Sequence, residues 1–589
     1  IFFIYFNTCY SGHGDSMKTV FTYLKDYAKE SILAPTFKML EAFFDLLVPL
    51  MVARCINQGI QTGNWTIIWK YVLLLIMLAL VGMACSFTAQ FFAAKAAVGV
   101  TTKLRQRLFD HIQSLSFKEL DTLGVDTLIT RMTSDMNQVQ NGINMTLRLL
   151  LRSPFIVFGS LLMAFFINQK VSIVFLVAIV LLTIVVVGIM VFCIPLFKKV
   201  QSRLDALLGI TRDQITGVRV IRAFCKEEDE VQEFDSVNQD YTSFNEFLGK
   251  INALMNPLTY IIINVATIVL IQVGAVQVQL GNLLQGDVVA LYNYMAQIII
   301  ELVKLASLIV TINKSIACSQ RIETILAQKG SLRYGRDVLD TKCNLAYECK
   351  DLTFTYPGAS SPALEDVNFT IEKGTVVGVT GGTGSGKSTL MQLLAHYYDM
   401  DSGSLNLFGH PIEKYSQAQL NDQIGFVSQN VVLFHGSIRD NMKWGKEDAS
   451  DQEIWQALEL AQARDVVEGK SGQLDFVLEQ NGKNLSGGQR QRLTIARALM
   501  KQPDILILDD SASALDFATD ARLRQALRSL SKMMTIFIVS QRISSIRQAQ
   551  TILVLDDGKL VGQGNHAQLL ESCSVYQEIY ASQYAKEEC

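Results

Sequence analysis

The chain has 589 residues, 50% of them hydrophobic, and a net charge of −3; its mean hydropathy is +0.26. That length allows several structural units, that hydropathy argues against a purely soluble protein, and a charge so near zero gives no whole-chain signal for nucleic acid. The ten cysteines form no C-x-x-C pair and no His/Cys cluster of metal-ligand spacing, so they read as free thiols.

The segment 1–16 fits no element. Its apolar run is too short to span a bilayer, and it has neither a basic start nor a cleavage site for a signal peptide. Gly14-Asp15-Ser16-Met17 can be encoded by GGAGATAGTATG, a purine-rich ribosome-binding site ahead of a start codon. Residues 1–16 are therefore expected to be a translated, non-native leader, with Met17 the natural start. Met17–Glu30 is amphipathic, with Val20, Phe21, Leu24 and Ala28 on one side, and is expected to lie in the membrane interface.

A spanning helix needs about 20 mostly apolar residues. Six segments qualify: Ile32–Ile56, Ile67–Val98, Leu147–Ile167, Val171–Leu196, Leu254–Val278 and Val288–Ile312. The connections Asn57–Asn64 and Gln279–Gly286 hold no Lys or Arg. Those after the second and fourth spans are basic, with Lys103, Arg105, Arg107, Lys118 and Arg131 in one and Lys198, Lys199, Arg203, Arg212, Arg219, Arg222 and Lys226 in the other. The positive-inside bias places both termini in the cytoplasm. The basic connections keep helical apolar spacing, so they are expected to be helix extensions, with short turns near Phe117–Gly124 and Thr216–Phe224. At membrane depth Glu41 and Asp45 share one helix face, and Tyr294, Gln297, Glu301 and Lys304 share another. Two readings are open: internal pairing, such as Glu301 with Lys304, or a cavity lining for amphipathic or cationic substrates.

A linker is expected over 327–346, separating a membrane domain (17–326) from a soluble α/β domain (347–589). Gly381-Gly382-Thr383-Gly384-Ser385-Gly386-Lys387-Ser388 matches G-x-x-x-x-G-K-(S/T), after a strand-like Val-Val-Gly-Val-Thr and before a helix-like run opening at Thr389. That is the setting of a phosphate loop. Backbone N–H groups wrap the phosphates at the positive end of the helix; Lys387 reaches the β- and γ-phosphates and Ser388 coordinates Mg2+. Leu485-Ser486-Gly487-Gly488-Gln489 opens a second helix with a hydroxyl and free N–H groups, a further anion site. Ile505–Leu508 then runs into Asp509 and Asp510, a buried strand delivering an acid to a metal ion.

Taken together these motifs resemble a half-transporter of the ABC exporter family over residues 17–589. The resemblance implies a multidomain membrane protein of the type IV exporter fold, with a six-helix all-α transmembrane domain followed by an α/β P-loop nucleotide-binding domain. It implies that Tyr356 stacks on adenine, that Gln429 is the Q-loop residue near Mg2+, that Leu485–Gln489 is the signature, and that Ser513–Asp516 is the D-loop. Two such domains close head to tail, each ATP held by one phosphate loop and the other domain's signature. The turns near Phe117–Gly124 and Thr216–Phe224 resemble coupling helices.

The resemblance also exposes two departures. The family places Glu after the metal-binding acid, to polarise the attacking water; here it is Asp510, shorter by one C–C bond, about 1.5 Å. A misplacement of about 1 Å costs about a hundredfold in rate. The family's switch histidine is replaced by Gln541, which can hydrogen-bond the γ-phosphate but carries no proton or charge. With the signature intact, this pattern resembles the degenerate-site subunit of heterodimeric bacterial multidrug exporters. The expectation is one half of a heterodimeric ATP-driven exporter of drug-like substrates in the bacterial plasma membrane, using ATP and Mg2+, with a second ABC half-transporter, membrane lipid and a small amphipathic substrate as partners and no nucleic acid. The alternatives are a slow homodimer, a lipid or peptide exporter, and a regulatory ABC subunit that moves nothing.

Overall fold

The computed structural model describes residues 18–584, except 337 and 512. The expected leader, 1–16, and its start at Met17 lie outside the described residues. The described residues form two compact units, one within 18–113 and 126–328 and the other within 114–125 and 329–584.

The first unit is all helix. The amphipathic helix Lys18–Asp26 stops at Tyr27, and a 27-residue helix, Ala28–Arg54, begins at once. The first helix therefore ends at Asp26, inside the expected amphipathic segment Met17–Glu30. The Tyr27 ring stands over Gly99, where any Cβ would strike it, and Asp26 pairs with Lys103 at 2.7 Å; together they fix the break.

Among the described residues five helices are long and apolar enough to cross a membrane: Trp65–Ser114, Val125–Ile167, Gln169–Ala223, Glu227–Gln279 and Gln285–Leu326. Ala28–Arg54 is long enough, but Lys38, Glu41 and Asp45 interrupt its apolar surface. At 1.5 Å per residue, the 55 residues of Gln169–Ala223 reach far beyond a hydrocarbon layer of about 30 Å, so the basic connections are continuations of the helices. Trp65–Ser114 buries a face of Ala89, Ala93, Ala96 and Ala97, small side chains that let helices approach closely in lipid.

The expected turn near Thr216–Phe224 is corrected. Helix continues through Ala223, and the reversal takes only Phe224–Lys226 before Glu227–Ala253 starts. Cys225 makes the corner with φ of +52°. The apolar spacing of Val218, Val220 and Ile221 carries the helix through the segment expected to turn. Around Phe117 the expected short turn is a seven-residue helix, Phe117–Leu123, ended by Gly124. It is capped by Ser116 and Glu119 in a reciprocal box.

The second unit is α/β. Its strands are β1 (Leu345–Phe354), β2 (Leu364–Glu372), β3 (Val376–Gly381), β4 (Ser402–Leu407), β5 (His410–Pro411), β6 (Ile424–Val427), β7 (Gly436–Ser437), β8 (Val477–Leu478), β9 (Ile505–Asp509), β10 (Thr535–Val539), β11 (Thr551–Asp556) and β12 (Lys559–Gly564). One sheet has the order β2-β1-β4-β5 and is antiparallel; the larger has the order β12-β11-β3-β10-β9-β6. Strands β11, β3, β10, β9 and β6 run parallel. Every residue of β3, β9 and β10 is buried, which explains their unbroken apolar runs: a parallel sheet is covered on both faces. Each fully buried Val, Leu or Ile contributes about 1.5–3 kcal/mol. Part of the expected linker is bonded to this unit, with Gly335 N–H donating to Tyr415 O at 2.9 Å and Gln419 Nε2 to Leu339 O at 2.6 Å.

Candidate functional site

In an open parallel sheet, ligands bind beyond the carboxyl ends of the strands. Four neighbouring strands here end in the motifs singled out above. Strand β3 runs into the phosphate loop, β10 into Ser540 and Gln541, β9 into Asp509 and Asp510, and β6 into Gln429. Strand order thus lines up four groups that lie more than 100 residues apart at the extremes of the sequence.

The phosphate loop is tightly built. Gly386 caps the Lys387–Leu394 helix with φ of +92°, and a Cβ there would stand 2.8 Å from the Ala363 carbonyl oxygen. Left-handed backbone in a residue with a side chain costs about 1–3 kcal/mol. Gly386→Ala is therefore expected to weaken nucleotide binding about tenfold or more without unfolding the unit, as measured by titration with a fluorescent ATP analogue.

Lys387 Nζ donates to the carbonyls of Gly382 at 2.6 Å and Gly381 at 3.1 Å, and lies 3.3 Å from Ser385 Oγ. Burial holds its pKa below the usual lysine value, against the pull of Asp509 and Asp510. Gly382, Thr383 and Gly384 are exposed, and Thr389 is buried. Ser388 Oγ donates to Asp509 Oδ1 at 3.1 Å. Burial raises the Asp509 carboxyl, and Asp510 adds to the rise.

Asp510 takes φ of +45°, a conformation in which Asp is several-fold enriched among residues other than Gly. Gln429 Nε2 reaches its Oδ2 at 3.4 Å. Its pKa is raised, chiefly by burial, with Gln429, Arg542 and Lys387 opposing. Gln541 is exposed, and its carbonyl accepts from Gln583 Nε2 at 2.7 Å. Tyr356 donates its hydroxyl to Gln392 Oε1 at 2.9 Å and lies 3.2 Å from Thr389 Oγ1; it is partly buried.

The second anion motif caps a helix. Ser486 Oγ accepts from Gln489 N–H at 3.3 Å, and Gln489 Oε1 accepts from Ser486 N–H at 3.0 Å. Leu485 is buried, anchoring the turn. Gly488 lies against the D-loop: a Cβ would stand 2.9 Å from the Ala514 carbonyl oxygen. Gln491 Oε1 accepts from Ala514 N–H at 3.2 Å, and Arg542 Nη2 donates to Ser513 O at 3.3 Å. Gln491 and Arg542 were missed by sequence reasoning; the signals were a Gln one turn into the signature helix and a cation adjoining Gln541.

In the first unit the six polar candidates come together, around a residue the sequence reading overlooked. Arg152 Nη1 lies 2.5 Å from Glu301 Oε1, and Nη2 lies 2.9 Å from Asp45 Oδ2 and 3.8 Å from Glu41 Oε1. Lys38 pairs with Glu41 at 2.6 Å and Lys304 with Glu301 at 3.0 Å. Tyr294 donates to Leu46 O at 2.6 Å, and Gln297 to Asp45 O at 3.3 Å. Three cations meet three carboxylates, so the cluster is neutral. A separate apolar cavity of about 960 Å³ is lined by Met39, Phe43, Leu46, Phe155, Phe158 and Leu176 among others, and by none of the six.

A phosphate loop, a buried acid beside its serine and a capped glycine turn on an α/β unit define a P-loop ATPase, here carried on the same chain as a bundle of membrane-length helices. Family models agree: residues 31–302 match the ABC transporter transmembrane region and residues 364–513 match ABC transporter. The chain is 33% identical over 572 residues to an uncharacterized ABC transporter ATP-binding protein of Mycobacterium tuberculosis, covering 95% of this chain and 97% of that one. It is 33% identical to YfiB of Bacillus subtilis, also an uncharacterized ABC transporter ATP-binding protein, over 97% and 99% of the two chains. The ATP-dependent lipid A-core flippase of Shigella flexneri is 28% identical, over 94% of this chain and 95% of that one. A solved bacterial Atm1-family ABC exporter with ATP bound shares the fold, with a TM-score of 0.79 at 21% identity over 96% and 99% of the chains. The chain belongs to the ABC transporter family, and is an ATP-hydrolysing membrane exporter with a helical transmembrane domain and a nucleotide-binding domain.

Proposed function

We propose that the chain is the degenerate-site half of a heterodimeric exporter, crossing the bacterial inner membrane six times with both termini in the cytoplasm. The observation that carries this reading is the pairing of two altered positions, Asp510 and Gln541, with an intact signature at Leu485–Gln489. A signature that closes only on a partner's ATP has a use in a chain whose own site turns over slowly.

In this reading ATP lies on the Gly381–Thr389 loop with its base on Tyr356, and Lys387 exchanges its two loop carbonyls for phosphate oxygens. Asp510, steadied by Gln429, faces the attacking water from too far back. Among the described residues no three His, Cys, Asp or Glu side chains converge as a metal cage. The hydroxyl of Ser388 and the carboxylate of Asp509, 3.1 Å apart, suit Mg2+, a cation that takes one or two protein oxygens and fills its shell with phosphate and water. The resemblance adds Gln429, whose amide nitrogen reaches Asp510 Oδ2 at 3.4 Å, as a further residue of this site. Bound there, the ion would neutralise phosphate charge.

The substrate proposed is amphipathic and drug-like, taken from the membrane. The flippase among the relatives favours a second reading, a lipid substrate. Proteoliposome assays with a cationic dye and with a labelled lipid separate the two.

The degenerate-site reading is tested in this chain purified alone, where any dimer sets its own phosphate loop against a consensus signature. Asp510→Glu with Gln541→His is expected to raise ATP turnover by roughly ten- to a hundredfold, since about 1 Å of misplacement costs about a hundredfold. Unchanged turnover in a dimer that still binds ATP would overturn it.

A further inference from the structure

The helix Ser574–Tyr584 packs on the α/β unit through Tyr576, which is fully buried and whose hydroxyl meets His566 Nδ1 at 2.8 Å. Val575, Ile579, Tyr580 and Tyr584 are partly buried against the same core, which includes Ile543 and Ile546. Residues three and four apart share a helix face, so the spacing Tyr576, Tyr580, Gln583 puts Gln583 on the docked side, at the loop that follows β10.

Gln583 grips that loop at two points. Its Nε2 donates to Gln541 O at 2.7 Å, and its Oε1 accepts from Ile543 N–H at 2.9 Å. The second bond meets a local need. The helix Ile543–Ile546 begins after Arg542, which provides no side-chain cap, and the first N–H groups of a helix have no partner within it. An amide 40 residues later in the sequence supplies the acceptor. The loop is held elsewhere too. Ser540 N–H donates to Val379 O at 3.0 Å, and Arg542 N–H donates to Ser540 Oγ at 3.0 Å. The Arg542 guanidinium donates to Ser513 O at 3.3 Å and lies over the Phe517 ring. Gln541 itself is exposed. Its side chain is an amide and can offer a phosphate oxygen only uncharged hydrogen bonds, which weaken steeply as donor and acceptor fall out of line. What Gln541 contributes therefore depends on how firmly its backbone is placed.

We propose that Gln583 is a positioning residue of the ATP site: its amide fixes the backbone of residues 541–543 so that the Gln541 side chain meets the γ-phosphate. The proposal rests on the ATP site of the function proposed above, with Gln541 at the γ-phosphate. It goes further in making the helix Ser574–Tyr584 part of that site and in assigning it the discrimination of ATP from ADP.

The test is competition of AMP-PNP and of ADP, each with Mg2+, against a fluorescent ADP analogue on the purified full chain. Gln583→Met keeps the length of the side chain and removes both bonds. It is expected to weaken AMP-PNP binding by about three- to tenfold, the range of one net hydrogen bond, and to leave ADP, which has no γ-phosphate, within about twofold. Equal weakening of both nucleotides would mean that Gln583 only steadies the unit. Unchanged AMP-PNP affinity would mean that the loop keeps its place without it. Either result overturns the proposal. Gln583→Ala carries the test should Gln583→Met fold poorly. Gln541→Ala separates the proposal from the assignment beneath it. If that variant keeps wild-type AMP-PNP affinity, Gln541 does not meet the γ-phosphate and the proposal falls with it; if it weakens AMP-PNP while Gln583→Met does not, the link alone is rejected. In the double variant Gln583→Met is expected to add less than about twofold to the loss from Gln541→Ala, since the two act on one contact. A full additional loss would give Gln583 a route of its own and overturn the proposal.

Discussion

Ser486→Arg in this chain is expected to remove most ATP turnover of the assembled exporter, by about 10²–10³-fold, whereas Asp510→Asn changes it little. The reasoning follows from the head-to-tail closure implied by the family. In the proposed dimer, Ser486 and the N–H groups of Gly487 and Gly488, which open the helix Gly487–Leu499, face the phosphate of the other chain. An arginine there puts bulk where the facing γ-phosphate docks and removes a preorganised donor, a loss typically worth about 10²–10³ in rate. Losing the Ser486 cap costs the helix only about 1 kcal/mol, so the purified variant should melt near the wild type. Asp510→Asn removes a carboxylate already set back by one C–C bond. Steady-state ATPase rates of the proposed heterodimer carrying each variant decide the matter. An inactive Asp510→Asn beside an active Ser486→Arg would mean that this chain hydrolyses at its own site.

Arg152→Met is expected to destabilise the membrane unit more than any other single change in its polar cluster, by about 3–5 kcal/mol, the usual cost of breaking a buried pair. The guanidinium side chain is 11% exposed and its closest partner, Glu301, 4%. Without it Asp45 loses its cation, and Glu301 keeps only Lys304 and the Ser153 hydroxyl at 2.8 Å. Adding Glu301→Gln should recover part of the loss, because neutralising both partners spares the remaining acid its desolvation. Heat-unfolding midpoints in detergent for the single and double variants measure both effects. A single variant that melts with the wild type would show that the pairs seen around Arg152 contribute nothing to holding these helices together.

The phosphate loop, the signature and the acidic strand end were legible because each is a contiguous run whose chemistry depends on spacing along the chain. The long helices were legible for a related reason: apolar stretches of spanning length have few alternatives. Local reading failed where a boundary depends on packing. The reversal after Gln169–Ala223 was expected within Thr216–Phe224, yet helical hydrogen bonds persist to Ala223 and only Cys225 adopts the corner conformation. The break at Tyr27 is set by Gly99, 72 residues later in the sequence, which no local pattern encodes. Arg152 was overlooked because one charge at the head of an apolar run reads as a helix end.

By itself the sequence determined where the phosphate-loop and signature motifs lie, which acid ends the strand run Ile505–Asp509, and that Asp510 and Gln541 depart from the family pattern. Those are properties of residue type at fixed spacing, and the backbone of a strand, loop or helix converts such spacing directly into geometry. Only the tertiary structure decided which distant groups became neighbours. The order β3-β10-β9-β6 sets Lys387, Gln541, Asp510 and Gln429 along one sheet edge. Helix packing gathers Glu41, Asp45 and Glu301 around one guanidinium. Aromatic packing and one hydrogen bond join Ser114–Val125 to Tyr397 and Tyr398. Side-chain packing and strand pairing act across chain separations that sequence periodicity cannot see, and they chose these partners.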